Sequence, residues 1–163
     1  MAMNMLRLIP ALTLLILLAS CQKKECDCPA PPPVDAESDT WILDGVAYKA
    51  KGHALKSRDG NAYLYTFVAD TPVLNPSTLT LRFNAAPDNT NTFSVTAPSY
   101  TRDSTAAYIT AYRGHDSTTF TSLGMGQYLS AYLNDAFELT WVVNGIWLKS
   151  AKDTVRLSLN LSE

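Results

Sequence analysis

The sequence predicts an all-β domain over residues 40–163, an antiparallel β-sandwich or a partly open barrel. Three observations predict it. Apolar residues recur at every second position in four separate segments, the period of a strand with one buried face. Clusters of Gly, Asn, Asp and Pro fall between the segments, where the chain must turn. All three Trp, all eight Tyr and all five Phe lie within residues 40–163, so the bulk needed for one core is concentrated there. The same stretch carries ten basic and ten acidic side chains and is electrically neutral.

The elements follow in order. Trp41-Ile42-Leu43-Asp44-Gly45-Val46-Ala47-Tyr48 opens the domain, with Asp44-Gly45 as a turn. A strand over 63–69 follows the turn Asp59-Gly60-Asn61. Beyond Asn75-Pro76, Leu79, Leu81 and Phe83 alternate with Thr78, Thr80 and Arg82. Beyond Pro87-Asp88-Asn89, Phe93, Val95 and Ala97 alternate with Thr92, Ser94 and Thr96. A strand over 105–112 leads to a polar turn at Gly114-His115-Asp116-Ser117. In the segment 127–136, Tyr128, Leu129, Tyr132, Leu133 and Ala136 also fit one helical face. Strand is the reading adopted, because Tyr favours strands and the neighbouring segments are β. Phe137, Leu139, Trp141 and Val143 alternate with Glu138, Thr140, Val142 and Asn144, and Asn144-Gly145 reads as the next turn. Val155, Leu157, Leu159 and Leu161 form the last apolar face.

The residues before the domain divide at position 20. Leu6 to Leu18 is apolar apart from Arg7 and Thr13. It is too short to span a bilayer, which takes about 20 apolar residues, and it fits a secretory h-region. It ends in Leu18-Ala19-Ser20-Cys21. This resembles the bacterial lipobox: small residues admit the peptidase to the backbone, and the Cys thiol takes a diacylglycerol. The resemblance implies a cleaved signal peptide over 1–20, a lipidated Cys21 as first mature residue, and attachment to the membrane through that lipid. Gln22 stands where many enteric lipoproteins retained at the inner membrane have Asp, which implies an outer-membrane address in the cell envelope. Residues 21–39 read as a disordered Pro-rich acidic linker. Pro29, Pro31, Pro32 and Pro33 favour a stiff, extended form, and five acids outnumber two Lys.

Charge and motif content narrow the chemistry. A net charge of −2 lacks the basic excess that nucleic-acid binding needs. Cys26 and Cys28 form a C-x-C pair open to a small disulfide, an interchain bond or a metal, but no second ligand pair at zinc spacing exists. No metal or cofactor is therefore expected, and the pair reads as a redox-inert part of the linker. His53 and His115 are isolated. No nucleophile elbow, H-E-x-x-H or phosphate-cradling glycine loop is present, so no catalytic residue is assigned. Glu138 falls on a polar strand face and reads as a solvated acid, and Asp88-Asn89-Thr90-Asn91 as a plain turn.

Taken together, the lipobox, the acidic Pro-rich spacer and the opening Trp41–Tyr48 segment resemble the small all-β lipoproteins of Bacteroidota. The closing segments Leu133-Asn134-Asp135-Ala136-Phe137-Glu138-Leu139-Thr140 and Asp153-Thr154-Val155-Arg156-Leu157-Ser158 continue the resemblance. That family brings an architecture and no assigned activity. Asp103-Ser104-Thr105, Asp116-Ser117-Thr118 and Asp153-Thr154-Val155 are similar to the short O-glycosylation sequon of that phylum.

One set of residues suggests a ligand. Tyr108-Ile109-Thr110-Ala111-Tyr112 and Tyr128-Leu129-Ser130-Ala131-Tyr132 share a pattern. In extended chain, residues two and four apart lie on one face, so each segment presents Tyr, a hydroxyl residue and Tyr together. Flat rings with hydroxyls suit a glycan or an envelope protein, while a half-buried Tyr rim accounts for them structurally. The sequence favours a lipid-anchored, non-enzymatic binding or structural module of the cell envelope. The alternative is an envelope hydrolase acting on glycans or peptides.

Overall fold

Trp141 sits at the centre of the fold, fully buried, with Tyr65, Phe67 and Phe83 packed on it at ring-centroid distances of 4.7, 5.7 and 6.4 Å. The structure is a computed structural model describing residues 38–88, 90–98, 103–124 and 126–163. The predicted signal peptide, Cys21, Cys26, Cys28 and nearly all of the predicted linker lie outside the described residues.

Eleven strands follow one another, with no helix among the described residues. They are β1 (Thr40–Leu43), β2 (Val46–Lys49), β3 (Leu55–Asp59), β4 (Ala62–Val68), β5 (Thr78–Phe83), β6 (Asn91–Val95), β7 (Ala106–Arg113), β8 (Thr118–Ser122), β9 (Gln127–Leu133), β10 (Leu139–Lys149) and β11 (Thr154–Ser162). The predicted all-β fold is present. The sheet runs β2-β1-β11-β10-β9-β6-β7-β5-β4-β3, and β8 pairs with both β10 and β7. Strands β10, β9, β6, β7 and β8 thereby close a five-stranded barrel, and the other strands extend its sheet. Every pairing between strands is antiparallel except β6 with β7.

The apolar positions of the alternating segments on β5, β6 and β11 are buried as predicted, while Thr140 and Ser158, expected on the wet face, are buried as well. Leu79, Leu81 and Phe83 on β5 and Leu157, Leu159 and Leu161 on β11 are buried, and Thr78, Thr80 and Arg82 are only partly so. At about 25 cal/mol per Å² of apolar surface removed from water, such side chains supply most of the driving force. The segment beginning at Gln127 is strand as far as Leu133.

A branch in the sheet explains the parallel pair. Along one edge, β7 has β6 beside Ala106 and Ala107, then β8 beside Thr110 to Arg113. Ile109 falls between the two partners. Its N–H donates to the hydroxyl of Ser122 at 3.2 Å, and that hydroxyl donates to the Thr96 carbonyl. Ser122 is buried, so one side chain completes backbone bonds that neither strand reaches. The corner from β8 to β9 passes this point at Gly124, whose φ is +70° and where a Cβ would stand 2.6 Å from the Ala97 nitrogen.

Three expectations are corrected. Phe137 does not join the inner face of β10. It lies in the β9–β10 turn at φ 61° and is 85% exposed. The Asn134 side-chain carbonyl accepts the N–H groups of Ala136 and Glu138, which closes a three-residue loop whose last position is left-handed. Asn144-Gly145 does not end a strand. Val143 pairs with Leu159 and Ile146 with Leu157, so the two residues form a bulge within β10, with Gly145 at φ 75°. Ala97 lies beyond the end of β6 and is exposed.

Candidate functional site

On β9, Leu129 and Ala131 are buried while Tyr128, Ser130 and Tyr132 are exposed, Tyr128 at 61% and Tyr132 at 38%. On β7, Ile109 and Ala111 are buried, and Tyr108, Thr110 and Tyr112 occupy the other face, each half-buried. The alternation therefore places each Tyr pair outward, as the spacing predicts. The structure does not bring the two pairs into one cleft, because β6 stands between β9 and β7. Tyr128 has Ser94 of β6 beside it, and Tyr108 has Arg82 of β5. Two separate aromatic strips result.

The Tyr112 strip is tied to two loops. The Asn75 amide donates to the Tyr112 hydroxyl and, at 3.1 Å, to the carbonyl of Gly114. Hydrogen bonds from Ser117 and Asn75 lower the Tyr112 pKa. The Gly114 N–H donates to the Ser77 hydroxyl at 3.0 Å. Loop 70–77 is thus fastened to the β7–β8 turn through three side chains. The two enclose, with β2, a cavity of about 280 Å³ lined by Tyr48, Thr71, Val73, Asn75 and His115 among others. Val73 in that lining is 57% exposed, and Leu74, the next residue in the chain, is fully exposed. No local sequence pattern brings these residues together. The available signal was Val73-Leu74 between Pro72 and Pro76, an apolar pair in a stretch with no strand pattern.

Among the described residues, the titratable groups pair locally. Asp116 accepts three hydrogen bonds from the Arg113 guanidinium at 2.7 to 3.1 Å, and His115 stands 3.8 Å away. The Arg113 contact holds the Asp116 carboxyl at a pKa of about 2, and Asp116 in turn raises Arg113. His53 meets the Glu163 carbonyl at 2.9 Å. Glu138 accepts a bond from Asn134 within its hairpin. Hydrogen bonds from Thr105 lower the Asp103 pKa, and burial raises that of Tyr65. Among the described residues, no group of three His, Cys, Asp or Glu converges as metal ligands. In the three sequon-like triplets, the central Ser104, Ser117 and Thr154 are exposed.

The Asp116 contact has a pH dependence of definite sign. A carboxyl whose folded pKa is depressed stabilises the fold above its unfolded pKa of about 3.9, and the contribution fades as pH falls through the folded value. The β7–β8 turn should therefore loosen between about pH 4 and 2. Protection of the Thr118 amide, whose N–H donates to Asp116, should fall in that window relative to its intrinsic exchange rate, and in Asp116→Asn this pH-dependent loss should be absent.

No protein-family model, curated protein or solved structure matches the chain.

Proposed function

We propose that this chain is a lipid-anchored module of the cell envelope, held at the outer membrane through Cys21, whose β-domain binds a glycan or an envelope protein without catalysis. The observation that carries the reading is the order of segments: a short apolar run, Leu18-Ala19-Ser20-Cys21, a Pro-rich acidic stretch, then a folded domain starting near Thr40. A single acyl chain gives only marginal membrane binding, and each further buried methylene adds about 0.8 kcal/mol, so a multiply acylated Cys makes a lasting anchor. The neutral domain and acidic linker offer anionic lipid no electrostatic attraction. Attachment then rests on Cys21. In Cys21→Ser, metabolic labelling with a fatty acid should be lost, and the protein should leave the normal membrane fraction or persist as uncleaved precursor. Uptake of label and maturation to normal size in that variant would refute the anchor.

The outward strips support the binding role. Tyr128 is the most exposed of the four Tyr and is flanked by hydroxyl side chains at Ser94 and Ser130. Tyr128→Ala and Tyr132→Ala should weaken binding to a glycan array or to envelope extract proteins by about 1–3 kcal/mol, the range of an aromatic anchor. Unchanged binding in the double variant would remove β9 from the site, and the same test on Tyr108 and Tyr112 addresses β7.

A further inference from the structure

We infer that Asn144, in the β10 bulge, is a site of spontaneous deamidation, and that the hydrogen bond from Gly145 N–H to the Ser158 hydroxyl sets its rate by holding the reacting nitrogen. The inference is independent of the lipid anchor and of the Tyr strips.

An Asn followed by Gly carries its own reaction partners. The Gly nitrogen can attack the carbonyl carbon of the Asn side chain, because a residue without Cβ leaves room for the approach. The nitrogen gives up its proton, a bond forms from it to the side-chain carbon, and the side-chain amide departs as ammonia. A succinimide ring remains. Water then opens that ring at one carbonyl or the other, giving Asp or isoaspartate. Asn and water are thus converted to an acid and ammonia, with no oxidant or reductant. Asn144-Gly145 is the one Asn-Gly pair in the chain.

The fold itself requires the residue that makes Asn144 reactive. Val143 pairs with Leu159 and Ile146 with Leu157, so the ladder between β10 and β11 skips Asn144 and Gly145. Gly145 has a φ of 75°, a conformation that side chains resist and that a bulge of this kind takes with Gly. A larger residue there would slow the reaction and strain the bulge together. Asn144 is exposed, so water reaches the amide that must leave and the ring that must open.

Ser158 restrains the reaction. The Gly145 N–H donates to its hydroxyl at 3.1 Å. Ser158 lies on β11 and is only 5% exposed, although the alternation of that strand puts it on the wet side. Its hydroxyl is therefore shielded, and water does not readily take its place. While the bond stands, the nitrogen keeps its proton and is drawn toward β11. Attack on Asn144 requires that bond to break first, and the worth of the bond is added to the barrier.

The test holds the full chain in detergent in warm, mildly alkaline buffer and digests samples at intervals. Mass spectrometry and chromatography read the share of Asp and isoaspartate in the peptide that contains Asn144. We expect slow conversion in the folded wild type and faster conversion of the same chain in urea. Folded Ser158→Ala should convert about three- to tenfold faster than folded wild type, the factor a single hydrogen bond carries. Thr140→Ala is the control. It removes another buried hydroxyl between the same two strands, one that contacts Ser162 at 3.2 Å, and should leave the rate at Asn144 unchanged. An unchanged rate in folded Ser158→Ala, or an equal acceleration in Thr140→Ala, would overturn the inference. So would equal rates in folded and urea-unfolded wild type, a comparison that decides the matter even where Ser158→Ala does not fold.

Discussion

Trp141→Ala should cost the domain about 3–5 kcal/mol, the range for deleting a large buried aromatic. Trp141 is wholly buried, and three aromatic rings from β4 and β5 pack on it. Removing it leaves a cavity against these rings, and the cost grows with the volume left unfilled. Domains are stable by only about 5–15 kcal/mol, so a large part of the total is lost. Thermal melting followed by near-ultraviolet circular dichroism should show a fall in Tm on the order of 10–20 °C. Trp141→Phe should cost much less. The indole N–H is buried without a hydrogen-bond partner, and Phe keeps most of the ring while removing that unpaired donor. Equal losses in both variants would show that the indole is held by something other than packing.

Gly114→Ala should be the most damaging single-methyl change on the surface loops. A Cβ at Gly114 would overlap the Asn75 carbonyl oxygen and also crowd the Pro76 carbonyl carbon at 3.0 Å, both of them backbone atoms. Gly114 is buried, and its N–H and carbonyl are both engaged by the loop it touches. The added methyl must push loop 70–77 away and break those bonds, a loss of about 1–3 kcal/mol by overpacking and a similar amount for each buried polar group left unpaired. Melting should register the loss, and amide exchange should localise it to residues 75–77 and 112–114. Gly60→Ala serves as the control. No atom lies within 4 Å of a Cβ there, so its effect should be confined to the strain of its φ of +60°.

The parts of the fold legible in the sequence are those where one face is buried and the other wet. Leu79-Thr80-Leu81-Arg82-Phe83 and Val155 to Leu161 could be assigned as strands because burial on one side imposes a period of two. β3 carries no such signal. All five of its residues are exposed, since it is an edge strand that buries nothing. Asn144-Gly145 reads as a turn because a tight turn and a glycine-type bulge both use a Gly at positive φ, and the local sequence does not say which one uses it. Phe137 is hidden for the opposite reason. The hairpin needs a left-handed residue there, and Phe takes a position usually filled by Gly or Asn, at a strain of about 1–3 kcal/mol. The parallel pair and the branch at Ser122 depend on strand pairing that no local pattern encodes.

For the candidate sites the same distinction holds. Tyr108, Tyr112, Tyr128 and Tyr132 face outward because the spacing of i and i+4 fixes their side of the strand. That β6 separates the two pairs follows only from the order of strands in the sheet. The cavity beside Tyr48 is lined by residues of β2, loop 70–77 and the β7–β8 turn, which lie far apart in sequence. Its one local trace is an apolar pair, Val73-Leu74, left without a strand to bury it.

The proposed lipid anchor is tested most directly by the mass of the N-terminal peptide of the protein purified from its native host. Proteolysis followed by mass spectrometry should yield a peptide that begins at Cys21 and carries a diacylglyceryl thioether, with a further acyl chain on its α-amine where acylation is complete. A mature chain that begins elsewhere, or a Cys21 recovered as an internal residue with a free thiol, would contradict the proposed anchor and the outer-membrane address drawn from it.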